Sequence, residues 1–440
     1  MTASATSPAK QAASIPGGVA WWTLFILFMA NLVSVADRAL LGVVTEPVRL
    51  DLGLSDTQMS LANGLLFVTF NLGAGLFIAR MVDRGNRKWI LAAGVLGWSL
   101  ATAATGFATD FFTLSLARIA VGIGEATAFP VALSMIADLF RPERRAGAVG
   151  IFQASNIVGI VGGTIAAGII AAMLGWRNMF VVCGLAGVVL TVIIMVTVRE
   201  PVREDAASRL PEKAGDFIAD FVAGGKRILS EPGFLLLALG FGFSTTLGST
   251  LGTWGPAFFQ RVHNVPLAEV GLVIGPPIGI GGISGMLFSG LLANWLVKRS
   301  GRQPDMLRIP LIALPFAFPF IAAFVFSPSL PVTMLSAGAM NFLLSCTAAP
   351  CVTLAIGSVA PSDRGLAATL MLVFSGLLGG ALGPFVVGVI SDLATSGQDA
   401  QGLRYGLSFI LLVPVLSTIA LLMAMSQLSA KQTRDEGSST

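Results

Sequence analysis

Residues 21–44 read WWTLFILFMANLVSVADRALLGVV, an almost wholly apolar run in which Asp37 and Arg38 stand side by side. The run is longer than the ~20 residues an α-helix needs to cross the hydrocarbon of a bilayer. A charge at that depth is costly unless it is paired or faces a polar cavity. A second pair, Arg118 and Glu125, recurs about as deep in a later apolar run. Charges so placed in one half of a membrane protein point to a working site.

The rest of the chain has the same character. Of 440 residues, 55% are hydrophobic, 11% are charged and 51 are glycine, and the mean hydropathy is +0.83. These values describe a polytopic membrane protein. The formal charge of +4 comes from basic residues between apolar segments, where membrane topology accounts for it and nucleic-acid binding does not. Cys183, Cys346 and Cys351 fall inside apolar segments without CxxC or Cys/His spacing, so they read as small core residues rather than disulfides or metal ligands. No nucleophile–base arrangement appears, which makes an enzyme the least supported class. No cofactor is expected. The Ser/Ala-rich stretch 1–19 is followed by an apolar run too long for a cleaved signal peptide, so the first helix is expected to be retained.

Hydropathy windows give twelve candidate spans, near residues 20–44, 58–80, 89–108, 112–138, 147–172, 177–197, 232–259, 267–296, 307–328, 331–355, 366–392 and 404–428. The longest polar stretch between spans, 198–231, divides them into two sets of six. The expected organisation is an all-α polytopic fold: a tail (1–19), a six-helix bundle (20–197), a linker (198–231), a second six-helix bundle (232–428) and a tail (429–440). Within the linker Phe217, Ile218, Phe221 and Val222 share a helical face ahead of Lys226 and Arg227, which predicts a short surface helix in preference to a plain loop. Arg80, Arg84, Arg87, Lys88, Arg141, Arg144, Arg145, Lys298, Arg299, Arg302 and Arg364 lie in loops on one side; the other side offers little beyond Arg49, Arg177, Arg261 and Arg404. The positive-inside rule then places both termini and the linker in the cytoplasm. Short loops and the absence of an N-x-Ser/Thr signal favour a bacterial inner membrane over an animal cell surface. The two halves also repeat: Asp83-Arg84-x-x-Arg87-Lys88 follows span two, and Gly290-x-x-x-Asn294-x-x-x-Lys298-Arg299 follows span eight. Parallel six-helix repeats about a membrane-normal axis are the architecture of an alternating-access carrier, with a channel as the less favoured reading.

At this point the chain resembles the major facilitator superfamily, and within it the spinster-like lipid transporters. The family signature after the second helix is matched by Asp83, Arg84, Arg87 and Lys88, with Ala79 in its glycine position. The more specific likeness lies in Asp37-Arg38, Gly94-x-x-x-Trp98-Ser99, Arg118-x-x-x-Gly122-x-Gly124-Glu125 with Pro130, Asp138-x-Phe140, Arg144-Arg145 and Gly175-Trp176-Arg177-x-x-Phe180. Where the family has Asn-Tyr before Asp-Arg, this chain has Ser34 and Val35. The second half matches mostly in layout, through Pro361-Ser362-x-Arg364-Gly365 and Gly383-Pro384. The resemblance implies transport of lysophospholipids or sphingosine-type phosphorylated lipids, with proton coupling in bacterial members.

The residues support that expectation independently. Helices one and four carry Asp37, Arg38, Arg118 and Glu125, with the amides Gln153 and Asn156 nearby. Helices seven and ten carry no charges, only groups such as Ser244, Thr246, Thr250, Trp254, Phe258, Ser345 and Thr347 among apolar neighbours. A cavity charged on one wall and greasy on the other suits an amphiphile with an anionic head near Arg38 or Arg118. A sugar carrier would show more amide and acidic groups in both halves. The competing reading is a small organic or phosphorylated anion bound directly by these arginines. Asp37 or Glu125 is the expected proton carrier, since solvent access and arginine pairing govern a buried carboxylate's proton affinity. Arg118 and Glu125, at i,i+7, are expected to communicate through water or substrate. The plainer alternative is a set of structural salt bridges between helices one and four.

Asp83, Arg84, Arg87 and Lys88, joined by Arg144 and, in the second repeat, by Asn294 and Lys298, are the expected cytoplasmic gate, with Asp83 latching the outward-open state against the facing bundle. Gly122, Gly124, Gly159, Gly163 and Gly383 are expected at close helix crossings, and Pro276-Pro277 at a kink in helix eight. His263 is expected at a surface or gate rim. The expected partners are the amphiphile or anion, protons and membrane lipids, with the protein a monomer.

Overall fold

The computed structural model describes residues 17–201, 214–395 and 400–438. The expectations for residues 1–16 and for 202–213 of the linker, Arg203, Glu204 and Asp205 included, lie outside these. Every regular element among the described residues is helical. Ten helical stretches are long and apolar enough to cross a membrane.

The first apolar run forms α1 (Gly17–Val43) and continues through a single turn residue into the short polar α2 (Thr45–Leu52). Gly53, in the left-handed region at φ 62°, stops α2. Ser55 and Gln58 cap each other's backbone at the start of α3 (Asp56–Ser60), which passes through a π-helical turn, Leu61–Leu65, into α4 (Leu66–Arg84). α5 (Arg87–Thr105) is capped by Asn86, and α6 (Phe111–Glu125) by Asp110. α6 gives way to α7 (Ala128–Leu139) at Ala126–Thr127, four residues or fewer before Pro130; proline offers no N–H to the carbonyl one turn back, and the helix breaks there. α8 (Pro142–Thr197) is 56 residues long, but Gly175 at φ 80°, ψ 158° divides it into two helices. Arg177 secures that turn by donating to the carbonyls of Gly106 and Ala108 and to Asp51.

The linker contains a helix, α9 (Ala214–Leu229). Arg227 holds it to the second half through two bonds to Asp363, at 2.9 and 2.5 Å. α10 (Phe234–His263) and α11 (Leu267–Ser300) follow. The expected kink in α11 is not a break: the helix runs continuously through Pro276 and Pro277. After α12 (Arg308–Phe326), α13 (Leu330–Ser345) yields to α14 (Ala348–Gly357) at Cys346–Thr347, just before Pro350. Residues 125–130, EATAFP, and 345–350, SCTAAP, thus break two helices in the same way, Thr127 and Thr347 each bonding the carbonyl three residues back. α15 (Arg364–Phe374) passes through a second π segment, Ser375–Leu382, into α16 (Gly383–Thr395). α17 (Ala400–Ser408) and α18 (Leu412–Ser438) close the chain, so helix extends well into the stretch read as a tail from 429.

Two cores hold these helices. One gathers Leu24, Leu27, Val95, Trp98 and Val131 and lies wholly within the first half. The other joins the far end of α1 and α2 (Leu40, Leu41, Val44, Val48) to Leu251, Trp254, Phe258 and Phe259 of the second half. The halves therefore meet at the face where α1 ends, and α1 packs only against its own half near the face where it begins.

Candidate functional site

The charges of the first half come together between α1, α5 and α6. Asp37 is buried; its Oδ1 accepts from Thr102 Oγ1 at 2.8 Å, and its Oδ2 stands 3.6 Å from Arg118 Nη1. Arg38 Nε lies 2.5 Å from Glu125 Oε2. The anticipated Arg118–Glu125 communication along one helix is replaced by two crossed pairs between α1 and α6, because successive residues of α1 point to different partners. The Phe67 ring lies beneath both guanidinium groups, 5.8 Å from Arg38 Cζ and 5.2 Å from Arg118 Cζ.

Exposure separates the four roles. The Arg38 side chain is 47% exposed while that of Glu125 is fully buried. Asp37 and Arg118 are also enclosed. Arg38 is thus the cluster's contact with open space. Asp37 Oδ2, Glu125 Oε1, and Arg118 Nε and Nη1 are buried without hydrogen-bond partners among the described residues. Such groups are uncommon in folded proteins, and here Asp37 Oδ2 and Arg118 Nη1 face each other as an ion pair.

The expected lining residues divide. Gln153 and Asn156 belong to a polar patch in which Asn31 donates to Ser155 Oγ at 2.7 Å and to Asn156 Oδ1 at 3.2 Å. Asn31 was not singled out in the sequence. Thr246 is buried against the Gly242 and Leu378 carbonyls, and Thr347 against Ser244 at 2.6 Å. Thr250 Oγ1 is buried without a partner and Ser345 is half-buried. Trp254 and Phe258 do not line open space: both are fully buried, Trp254 donating to the Pro384 carbonyl and Phe258 packing on Phe324. Both of these contacts lie within the second half.

The glycines stand at close crossings. A Cβ would come within 2.8 Å of the Phe67 carbonyl oxygen at Gly122, 2.8 Å of Trp98 Cβ at Gly124, 2.9 Å of the Leu32 oxygen at Gly159, 2.6 Å of Ala36 Cα at Gly163 and 2.4 Å of Thr246 Cγ2 at Gly383. Of the expected gate, Arg87 is buried and bonds Asp138 of the first half at 2.5 Å and Glu200, at the start of the linker, at 2.7 Å. The Lys88 backbone N–H donates to Glu200. Asp83, Arg84, Arg144, Asn294 and Lys298 are exposed.

The opposite face carries a network that the sequence did not announce. Arg261, from α10, donates to both oxygens of the buried Asp56 at 2.8 and 2.7 Å and also bonds Glu46. Arg49 pairs with Glu46 at 2.8 Å. Asp392 accepts from the backbone N–H groups of Asp56 and Thr57, and Ser391 donates to Asp56 at 2.7 Å. His263 lies nearby, 3.2 Å from Thr333. Burial pushes the Glu46 carboxyl up, but the hydrogen bond from Arg49 and the charges of Arg261 and Arg49 together hold it below the ordinary carboxylate range. Asp56 and Arg261 sit at span ends, where a charge is unremarkable, and they are 205 residues apart, so only the folded chain joins them.

The model of the Major Facilitator Superfamily matches residues 27–384. An "MFS-type efflux pump" of Mycolicibacterium smegmatis is 31% identical over 91% of this chain and 90% of its own length. Protein spinster homolog 1 of Xenopus tropicalis is 27% identical over 89% of this chain and 78% of its own. A probable L-galactonate transporter of Escherichia coli is 31% identical over 62% of each chain. A crystal structure of a bacterial homologue of the human lysosomal transporter Spinster, inward-facing and unoccupied, superposes with a TM-score of 0.83 at 25% identity, covering 94% of this chain and 98% of that one.

Proposed function

Since the chain belongs to the major facilitator superfamily and is homologous to the spinster-like transporters, we propose that it carries amphiphilic lipids with an anionic head, of the lysophospholipid or sphingosine-phosphate kind, by proton-coupled alternating access. It is a polytopic membrane transporter and not an enzyme, and it moves small polar or amphiphilic solutes by secondary active transport. The lipid and the proton are our reading. In the same reading the chain forms two six-helix bundles (20–197 and 232–428) with the linker and both termini on the cytoplasmic side of a bacterial inner membrane, and it acts as a monomer.

One observation carries the proposal: the half-exposed Arg38 guanidinium is held by the buried Glu125 carboxylate. An anionic head arriving in the space beside Arg38 competes with Glu125 for that guanidinium. Glu125 and Asp37 belong to one cluster with Arg38 and Arg118, and the proton affinity of a buried carboxyl depends on where its counter-charges lie. Drawing Arg38 toward substrate therefore alters proton binding at the pair, and that linkage is reciprocal. The buried polar side chains of α10 and α13 are hydroxyls apart from the Asn341 amide, a mostly apolar wall that suits the acyl tail. The expected gate residues at the amino-terminal face engage in the other state of the cycle; the present arrangement, joined at the opposite face, is the inward-open one.

A second reading has support of its own. The Escherichia coli relative is a probable L-galactonate transporter and a Bacillus subtilis relative a probable galactarate/D-glucarate transporter, so Arg38 and Arg118 are candidates to hold a small carboxylate. Uptake of labelled lysophospholipid and of labelled L-galactonate into proteoliposomes, each with and without an inward proton gradient, separates the two. Gradient-stimulated lipid uptake that is lost in Glu125→Gln is the expected result. Saturable galactonate uptake with no lipid signal would discard the lipid assignment.

A further inference from the structure

Among the candidate spans, residues 56–84 have the smallest buried share. Only 11% of their most apolar stretch is buried, against 39–56% in the others. This helix nevertheless touches both the second half and the charge cluster, through different faces. Gly64, Val68 and Leu72, spaced four apart, meet the second half: a Cβ on Gly64 would stand 3.3 Å from the Gly380 oxygen, and Cβ atoms on Gly380 and Gly376 would stand 3.1 and 3.0 Å from Val68 Cγ2 and Leu72 Cδ1. Phe67 and Asn71 meet α6, where Asn71 donates to the Gly122 carbonyl at 2.8 Å.

Phe67 is 6% exposed and holds two guanidinium groups of like charge over one ring. The π turn Leu61–Leu65 ends two residues before it. That turn faces the second half at the π segment Ser375–Leu382, with the Gly64 and Gly380 backbones in contact range. A π turn that re-forms as regular helix rotates the side chains beyond it, and such turns concentrate at functional sites. We infer that Phe67 is a positioning residue through which the seating of the second half on α4 is passed to the Arg38–Glu125 and Arg118–Asp37 pairs. The inference rests on reading those pairs as the headgroup and proton site.

The test is the pH dependence of lysophospholipid uptake into proteoliposomes by wild type, Phe67→Leu, Phe67→Met and Phe67→Tyr, with the melting temperature of each purified variant. Leu and Met keep the site apolar but remove the π face; Tyr keeps it. The charged groups facing this point are Arg38 and Asp37 from α1 and Arg118 and Glu125 from α6. Less firmly held guanidinium groups are weaker counter-charges for the carboxyl pair. The uptake midpoint therefore moves upward by roughly half to one pH unit in Leu and Met, and Tyr restores it. A pH-dependent wild type with an unmoved midpoint in Leu and Met overturns this inference alone. A midpoint shifted as far in Tyr as in Leu also overturns it. A flat wild-type profile overturns the parent reading and this inference with it.

Discussion

Glu46 and Glu125 are both paired with arginine, and their arginines differ in exposure. Arg38 opens to the cavity, whereas Arg261 is enclosed at the seam between halves. Glu46 is held below its ordinary value of 4.5. A carboxylate depressed on folding contributes stability that is complete above its unfolded value and is lost as pH falls through the folded one. Glu46→Gln should accordingly melt below wild type near neutral pH, and the gap should close in acid below about pH 4. A gap that persists unchanged into acid would show that the charge of Glu46 is immaterial. At this scale the sequence was most legible where a charge interrupted an apolar run, as Asp37, Arg38, Arg118 and Glu125 do. It was silent on Asn31, whose polar group is ordinary in sequence and becomes informative only when it meets Ser155.

Helices were legible by length and hydropathy, and their crossings by glycine. Gly163 is one example, since a Cβ there would stand 2.6 Å from Ala36 Cα on α1. Gly163→Val should lower the stability of the purified protein by roughly 1–3 kcal/mol through overpacking, seen as a lower melting temperature; a variant as stable as wild type would mean that α1 and α8 separate freely at this crossing. The interruptions were harder to read. Pro130 and Pro350 break their helices while Pro276 and Pro277 do not. A proline states only that one backbone bond is missing, and the packing around it decides whether the helix turns away.

Across the whole molecule, the decisive feature is the union of the halves at one face, through the shared core and through Arg261, Asp56, Glu46 and Asp392. An alternating-access cycle must part them. Arg261→Ala leaves the buried Asp56 carboxylate without its bidentate partner, and removing one member of a buried pair costs about 3–5 kcal/mol. The cost falls on the closed arrangement, so Arg261→Ala should shift the population toward opening at this face; spin labels at residues 50 and 393, on exposed positions of the two halves, should report longer distances than in wild type. Unchanged distances would mean that the apolar seam alone keeps the face closed. The all-helical, polytopic character was visible in the hydropathy pattern. The joining network was not, because a contact between distant span ends has no local signature.

The central claim is that taking an anionic head to Arg38 alters proton binding at Glu125 and Asp37. It is tested most directly by adding lysophospholipid to weakly buffered proteoliposomes with no imposed gradient and following the internal pH with a trapped indicator. The account predicts a pH change that tracks lipid uptake in wild type and disappears in Glu125→Gln. Lipid uptake in wild type with no accompanying pH change would contradict it.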